Sequence, residues 1–363
     1  MAAEGNSTVN FYGSVGNVNT GNVTQTIYVT TQKAEKTSSA PGNNGASKAA
    51  ESAVVQNIRR FLDENFSVLT EYADKKNTDT NPMEVDKGTQ EDFLVELKKC
   101  RLIFVTANPC EEKMATLFFR DQNRKKLWVR GVDEYSVQLG RFAGQPAAHI
   151  HPTNYGALAS ERLGLWLKEK DIHPELLVSA GVAYGMFPES QKIGDVLFSS
   201  RVVDLDAPHK ETDGNIILSP DNVYKLGEHI AAAWKRYCAN KPDWHWGTML
   251  GKNAVLSDSI LKNRLLEAAE RIGCKDVIGG EMEYTGFFRA AELCKENLTR
   301  FIGIKGICDW GEAKNSYGAV AAQLDNVTIK DNDDLKDLIQ CYAAEKALEA
   351  LAELIKNRGS VLE

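Results

Sequence analysis

The stretch "DVIGGEMEYTG" (residues 276–286) joins a short apolar strand to the start of a helix and places Glu281 and Glu283 at the junction. On a strand, residues two apart share one face, so both carboxylates would point one way and Met282 the other. In a helix they would splay apart. Two readings are open: acids that favour a helix N-terminal dipole, or the polar floor of a pocket at a strand exit.

The same strand-then-helix alternation runs outward from this point. "RLIFVTA" (101–107), "PAAHIHP" (146–152), "LLVSAGVA" (176–183), "GDVLFSSRVV" (194–203), "GTMLG" (247–251) and "RFIGIKGIC" (300–308) read as strands. Helices are expected at about 111–119, 156–169, 222–238, 257–271, 284–296 and 337–356. Strands alternating with crossover helices predict an α/β fold, a three-layer αβα arrangement around a mixed, mostly parallel sheet. Residues 176–183 and 194–203 are joined too tightly for a helix and are expected to form a hairpin. In such folds ligands gather at the carboxyl ends of strands. Glu281, Glu283 and Asp309, directly after Cys308, lie at such ends.

Ahead of this domain, expected over 92–363, the composition changes. Residues 1–32 are rich in Gly, Asn, Val and Thr with a repeated "GNV", close to the pattern of self-stacking segments. A homotypic assembly motif and a disordered tail both fit. Residues 33–50 read as a flexible linker and 51–73 as an amphipathic helix bearing Val54, Ile58, Phe61, Leu62 and Leu69. Residues 74–91 read as a polar linker.

The whole chain, 363 residues with 43% hydrophobic and 26% charged, has room for one large α/β domain with extensions or for two modest domains. A net charge of −7 argues against general nucleic-acid binding. Seven cysteines without a CxxC pair, and His149 and His151 without an HExxH motif, predict reduced thiols and no metal site. No apolar run of about 18 residues predicts a membrane span, and the first residues lack a secretory pattern. A cytoplasmic location is the simplest expectation.

Three stretches in order, "VSAGVAYGMFPESQKIGDVLFSSRVVDLD" (178–206), "GGEMEYTG" (279–286) and "KGICDWGEAKN" (305–315), resemble the nucleoside phosphorylase/nucleosidase superfamily, in particular its methylthioadenosine/adenosylhomocysteine nucleosidase-like branch. The resemblance covers about residues 98–356. It implies cleavage of a purine N-glycosidic bond without a cofactor, on a purine nucleoside or nucleotide such as adenosine or ATP. By the same resemblance, Asp309 is the general acid at the base, Glu283 holds the ribose hydroxyls, Met282 packs on the ribose and Glu281 supports them. Val182, Ala183 and Gly185 line the ribosyl side, with Tyr184 where a glycine is common, and Val255 lies near the base.

Phosphorylases of the superfamily carry a phosphate-holding Arg in a turn after the first strand. Here that region is "VTANPCEEKMATLFF" (105–119), which resembles the nucleosidase pattern in which a glutamate positions water. Glu111 or Glu112 would fill that role, and an acid there would repel phosphate. Lys252, Arg141 and Arg289 could meet phosphates of a nucleotide. The expected enzyme is therefore a hydrolase, an assembly-regulated immune or stress effector acting as a homodimer or larger homo-oligomer. A phosphate-dependent phosphorylase and a non-catalytic nucleotide sensor are the alternatives.

Overall fold

A computed structural model describes residues 53–78, 88–124, 127–207, 209–212, 215–225, 228–293, 301–312 and 332–357. The 1–32 segment, the 33–50 linker and residues 79–87 of the polar stretch lie outside them. Twelve strands and eight helices order the described residues.

Helix α1 (Ala53–Asn77) extends past residue 73. Its last turns find partners on the final helix, α8 (Asn332–Lys356): Lys75 pairs with Glu345 at 2.7 Å and Lys76 with Asp337 at 2.7 Å. Ile58, Phe61, Leu62 and Leu69 are buried, so the apolar stripe is what docks the helix. Helix α2 (Gln90–Lys98) follows, opened by a Thr89–Asp92 capping box.

The main sheet is built from β1 (Leu102–Val105), β2 (Trp128–Val132), β3 (Tyr135–Phe142), β4 (Gln145–Pro152), β5 (Leu176–Gly185), β6 (Val196–Asp204), β9 (Val223–Lys225), β10 (Trp244–Gly251), β11 (Val277–Glu281) and β12 (Phe301–Asp309). Its order is β11-β10-β6-β12-β5-β1-β4-β3-β2, with β9 beside β6. Short strands β7 (Lys210–Thr212) and β8 (Asn215–Ile217) pair separately. Helices α3 (Pro109–Gln122), α4 (Ala157–Glu169), α5 (Glu228–Cys238), α6 (Ser259–Arg271) and α7 (Tyr284–Leu293) connect them. Among the described residues no helix is long and apolar enough to cross a membrane.

Three expectations are corrected. The mixed α/β sheet is not a flat middle layer. β11 also pairs antiparallel with β5, Gly279 opposite Gly185 and Gly280 opposite Tyr184, so β11-β10-β6-β12-β5 closes as a five-stranded barrel. The double glycine of the opening stretch makes this closure possible, because a side-chain carbon at Gly279 would overlap the Tyr184 carbonyl. The sheet is also not mostly parallel: among its pairings five are parallel and five antiparallel. Nor do β5 and β6 form a hairpin. β12 lies between them, parallel to β5 and antiparallel to β6.

Smaller differences concern local structure. The β2–β3 hairpin is additional to the expected strands, and α5 begins at residue 228 because 220–225 forms a 3-10 turn and an edge strand. All nine residues of β12 are buried, which makes it the centre of the core.

Candidate functional site

Polar side chains from the exits of β1 and β11 gather near the middle of β12 and the backbone of β5. At the β1 exit, Asn108 caps α3 by accepting from Glu111 N–H at 2.9 Å. The Glu111 carboxylate completes the capping box from Asn108 N–H at 3.1 Å and also accepts from Ala107 N–H at 2.6 Å. Its other oxygen reaches across the fold to Val182 N–H on β5, at 2.7 Å. Glu111 is 2% exposed. Burial pushes its pKa up, with Lys305 opposing and Glu283 adding to the rise.

At the β11 exit, Glu281 caps α7 rather than reaching outward. Its carboxylate accepts from Glu283 N–H at 2.9 Å and Tyr284 N–H at 2.7 Å. Burial raises its pKa to about 8, against the pull of Lys305. The Glu283 side chain instead faces Lys305 Nζ, at 3.5 Å. Tyr284 locks this corner: its hydroxyl donates to Ser199 O and accepts from Gly303 N–H.

Lys305, in the middle of β12 and 2% exposed, is a buried cation paired with Glu281 and Glu283. Its Nζ lies 3.5 Å from both Glu281 and Glu283. Burial works against its charge, but Glu283, Glu281 and Glu111 together hold its pKa above the ordinary lysine value. The sequence reading passed over this residue, although a lysine inside the apolar run "FIGIKGIC" was the available signal: a buried charge on a central strand requires partners.

Asp309 ends β12 four residues on, roughly 13 Å along an extended strand. It is 7% exposed and accepts from Gly311 N–H at 2.7 Å. Gly311 takes a left-handed conformation, φ 65°, to make that turn. Asp309 stands opposite Tyr184 in the β5 register. The Tyr184 ring lies between Gly280 and Gly311, where added side-chain carbons would meet it. Burial, Asp309 and Glu281 all raise the phenol pKa. Tyr184 therefore stands within electrostatic reach of both Asp309 and Glu281.

The structure thus brings Glu281 and Glu283 to Lys305 and Glu111 to Val182, with Asp309 farther along β12. Ala183 pairs with Ile307, and Gly185 packs against Trp310, beside Asp309. Met282 is half-buried beside Glu283. Glu112 turns the other way, 3.5 Å from His151 Nε2, so of the two acids only Glu111 joins the cluster. Val255 is 63% exposed, while its neighbour Leu256 is buried. Arg289 is engaged by Asp204 at 2.9 Å, and Arg141 sits on the remote β3–β4 turn, where its guanidinium donates to Gly144 O. Lys252 donates its backbone N–H to Glu281 O at 3.1 Å, while its ammonium group lies 3.8 Å from Asp206.

Gly181, φ 156°, lets β5 pass against the Glu111 carboxylate, which a side-chain carbon there would overlap. Gly181→Ala is expected to cost about 1–3 kcal/mol by overpacking and by displacing Glu111 from Val182. Equilibrium urea unfolding checks this, and an unchanged midpoint would refute the close approach.

No family model matches the chain. A curated relative, a death domain-containing ATP nucleosidase of Amphimedon queenslandica, is 25% identical over 247 residues, covering 60% of this chain. The chain spans 44% of that relative's length. Among solved structures, the 5′-methylthioadenosine/S-adenosylhomocysteine nucleosidase of Neisseria meningitidis aligns with a TM-score of 0.52 at 14% identity, over 70% of this chain and 99% of its own. The corresponding Helicobacter pylori enzyme gives 0.54 at 12% identity, over 71% and 98%. Futalosine hydrolase of Helicobacter pylori gives 0.52 at 13% identity, over 70% and 96%. At these identities the likeness establishes the fold.

Proposed function

We propose that the chain is a member of the nucleoside phosphorylase/nucleosidase superfamily, a reading supported by its curated relative and by the shared fold, and that it hydrolyses the N-glycosidic bond of a purine nucleoside or nucleotide. The observation that carries this reading is the cluster of Glu111, Glu281 and Glu283 around buried Lys305, with Asp309 set apart at the end of the same strand. Such an array separates a sugar-and-water end from a base end.

In the proposed reaction the C1′–N9 bond breaks as the ribose gains oxocarbenium character and the base gains negative charge. Asp309 gives its proton to N7, so the base leaves neutral. Glu283 accepts from the ribose hydroxyls, and Lys305 holds Glu283 in place. Glu111 orients a water and takes its proton as the oxygen bonds to C1′. Its carboxylate is already fixed by three backbone N–H groups, so little reorganisation opposes that task. Glu281 serves as the cap that aims Glu283.

A nucleotide substrate is supported by the name of the curated relative, an ATP nucleosidase. Hydrolysis rather than phosphorolysis is supported by Glu111, a carboxylate at the β1 exit where phosphate would have to sit. Incubating the full chain with adenosine or ATP, with and without phosphate, tests the proposal. Free ribose or its phosphorylated form without added phosphate is the expected result. Ribose 1-phosphate formed only with phosphate would replace the reading by phosphorolysis, and no base release under either condition by a non-catalytic role.

A further inference from the structure

Helix α1 precedes the sheet, yet one of its side chains is wired to both walls of the site. Asn57 interrupts the apolar stripe between Val54 and Phe61 and is 6% exposed. Its amide donates to two carbonyls of a single turn, Pro188 O at 2.8 Å and Gln191 O at 3.0 Å. This turn follows β5 directly.

Gln191, 3% exposed, passes the constraint on. Its Oε1 accepts from Met186 N–H and Phe187 N–H, both at 2.8 Å, and its Nε2 donates to Ile278 O at 2.8 Å. Met186 N–H also donates to Ile278 O, at 3.2 Å. Met186 continues directly from Val182–Gly185, and Ile278 leads directly into Gly279-Gly280-Glu281. The point where β5 and β11 close the barrel is therefore pinned by one glutamine. Lys262 ties the same point to the acid's turn, donating to Trp310 O at 3.1 Å and to Met186 O at 3.5 Å.

We propose that Asn57 is a positioning residue of the catalytic site: by holding the 187–191 turn, α1 fixes Gln191 and thereby the spacing of the Val182–Gly185 and Glu281–Glu283 walls. The inference rests on the site described under the proposed function. Its chemistry is specific, because two carbonyls converge on one neutral group with two N–H donors. An aspartate fills the same volume but offers only acceptors to those carbonyls.

The experiment uses the full chain with Asn57→Ala and Asn57→Asp, and with exposed Thr70→Ala as control. Amide hydrogen exchange is read at Met186 and Phe187, with Ile103 and Phe104 of β1 as internal reference, alongside kcat and KM for base release. The expected result is about tenfold faster exchange at Met186 and Phe187 in both Asn57 variants, with β1 unchanged. KM is expected to rise about fivefold with kcat altered less than twofold, in line with loss of a buried hydrogen-bond pair. Asn57→Asp is to be no better than Asn57→Ala.

Unchanged exchange at Met186 and Phe187, wild-type behaviour of Asn57→Asp, or faster exchange with an unaltered KM each overturns the proposal. If Asn57→Ala does not fold, Asn57→Asp, which keeps the side-chain volume but loses both donors to Pro188 O and Gln191 O, carries the same expectation. A wild-type chain without base release would sink the proposed function, while the exchange measurement would still decide whether α1 holds the turn.

Discussion

Asp309→Asn is expected to slow base release by about 10²–10⁴-fold, the range associated with a lost general acid. The fold should survive the change. The carboxamide of the variant keeps an oxygen that can accept from Gly311 N–H, a bond the carboxylate makes at 2.7 Å, so the turn after β12 has the same local support. The measurement is chromatographic detection of free base from adenosine and from ATP, paired with thermal unfolding. A large drop in release with a thermal midpoint shifted by no more than a few degrees is the expected pair. Undiminished release would remove Asp309 from the acid's role, and a collapse of both readings would make its contribution structural.

Lys305→Met carries the largest expected effect on stability. The lysine is buried among Glu281, Glu283 and Glu111, and its removal strands carboxylates that burial already disfavours in their charged form. Breaking a buried pair in this way costs about 3–5 kcal/mol. The pH dependence has a definite sign. Glu281 has its pKa raised to about 8 in the folded chain, above the usual carboxylate value, so the folded state binds more protons than the unfolded one in between. Its contribution to stability is present at acidic pH and is lost as pH rises through about 8. Without Lys305 the rise in pKa is larger, so the deficit of the variant should be widest above pH 8 and shrink toward about pH 5. Urea midpoints at acidic, neutral and alkaline pH check this, and a deficit constant across that range would show that lost packing, not lost charge, is responsible.

Much of the site was legible because its pieces are local. Glu111 lies three residues after the Asn108 cap, and Glu281 three residues before the start of α7 at Tyr284, so both follow capping chemistry that depends on neighbours in sequence. The helix N-terminal reading open for Glu281 agrees with its bonds to Glu283 N–H and Tyr284 N–H, and Glu111 has the same local role at α3. It does not exclude a role in the site, since Glu111 uses its remaining oxygen to bond Val182.

By itself, the sequence determined the strand-and-helix alternation, the acids at the strand exits and the amphipathic face of α1, all of which arise from side-chain periods and hydrogen bonds spanning a few residues. Only the tertiary structure decided which of Glu111 and Glu112 turns inward, since the choice depends on an N–H donor on β5. It alone placed β12 between β5 and β6 and closed β11 onto β5, because a strand's period tells which face is buried but not which distant strand its backbone will pair with. It alone made Lys305 the partner of the buried carboxylates. A lysine in an apolar strand announces that partners are needed, but the three glutamates that answer it come from two other strand exits, and only the closure of the barrel brings them within reach.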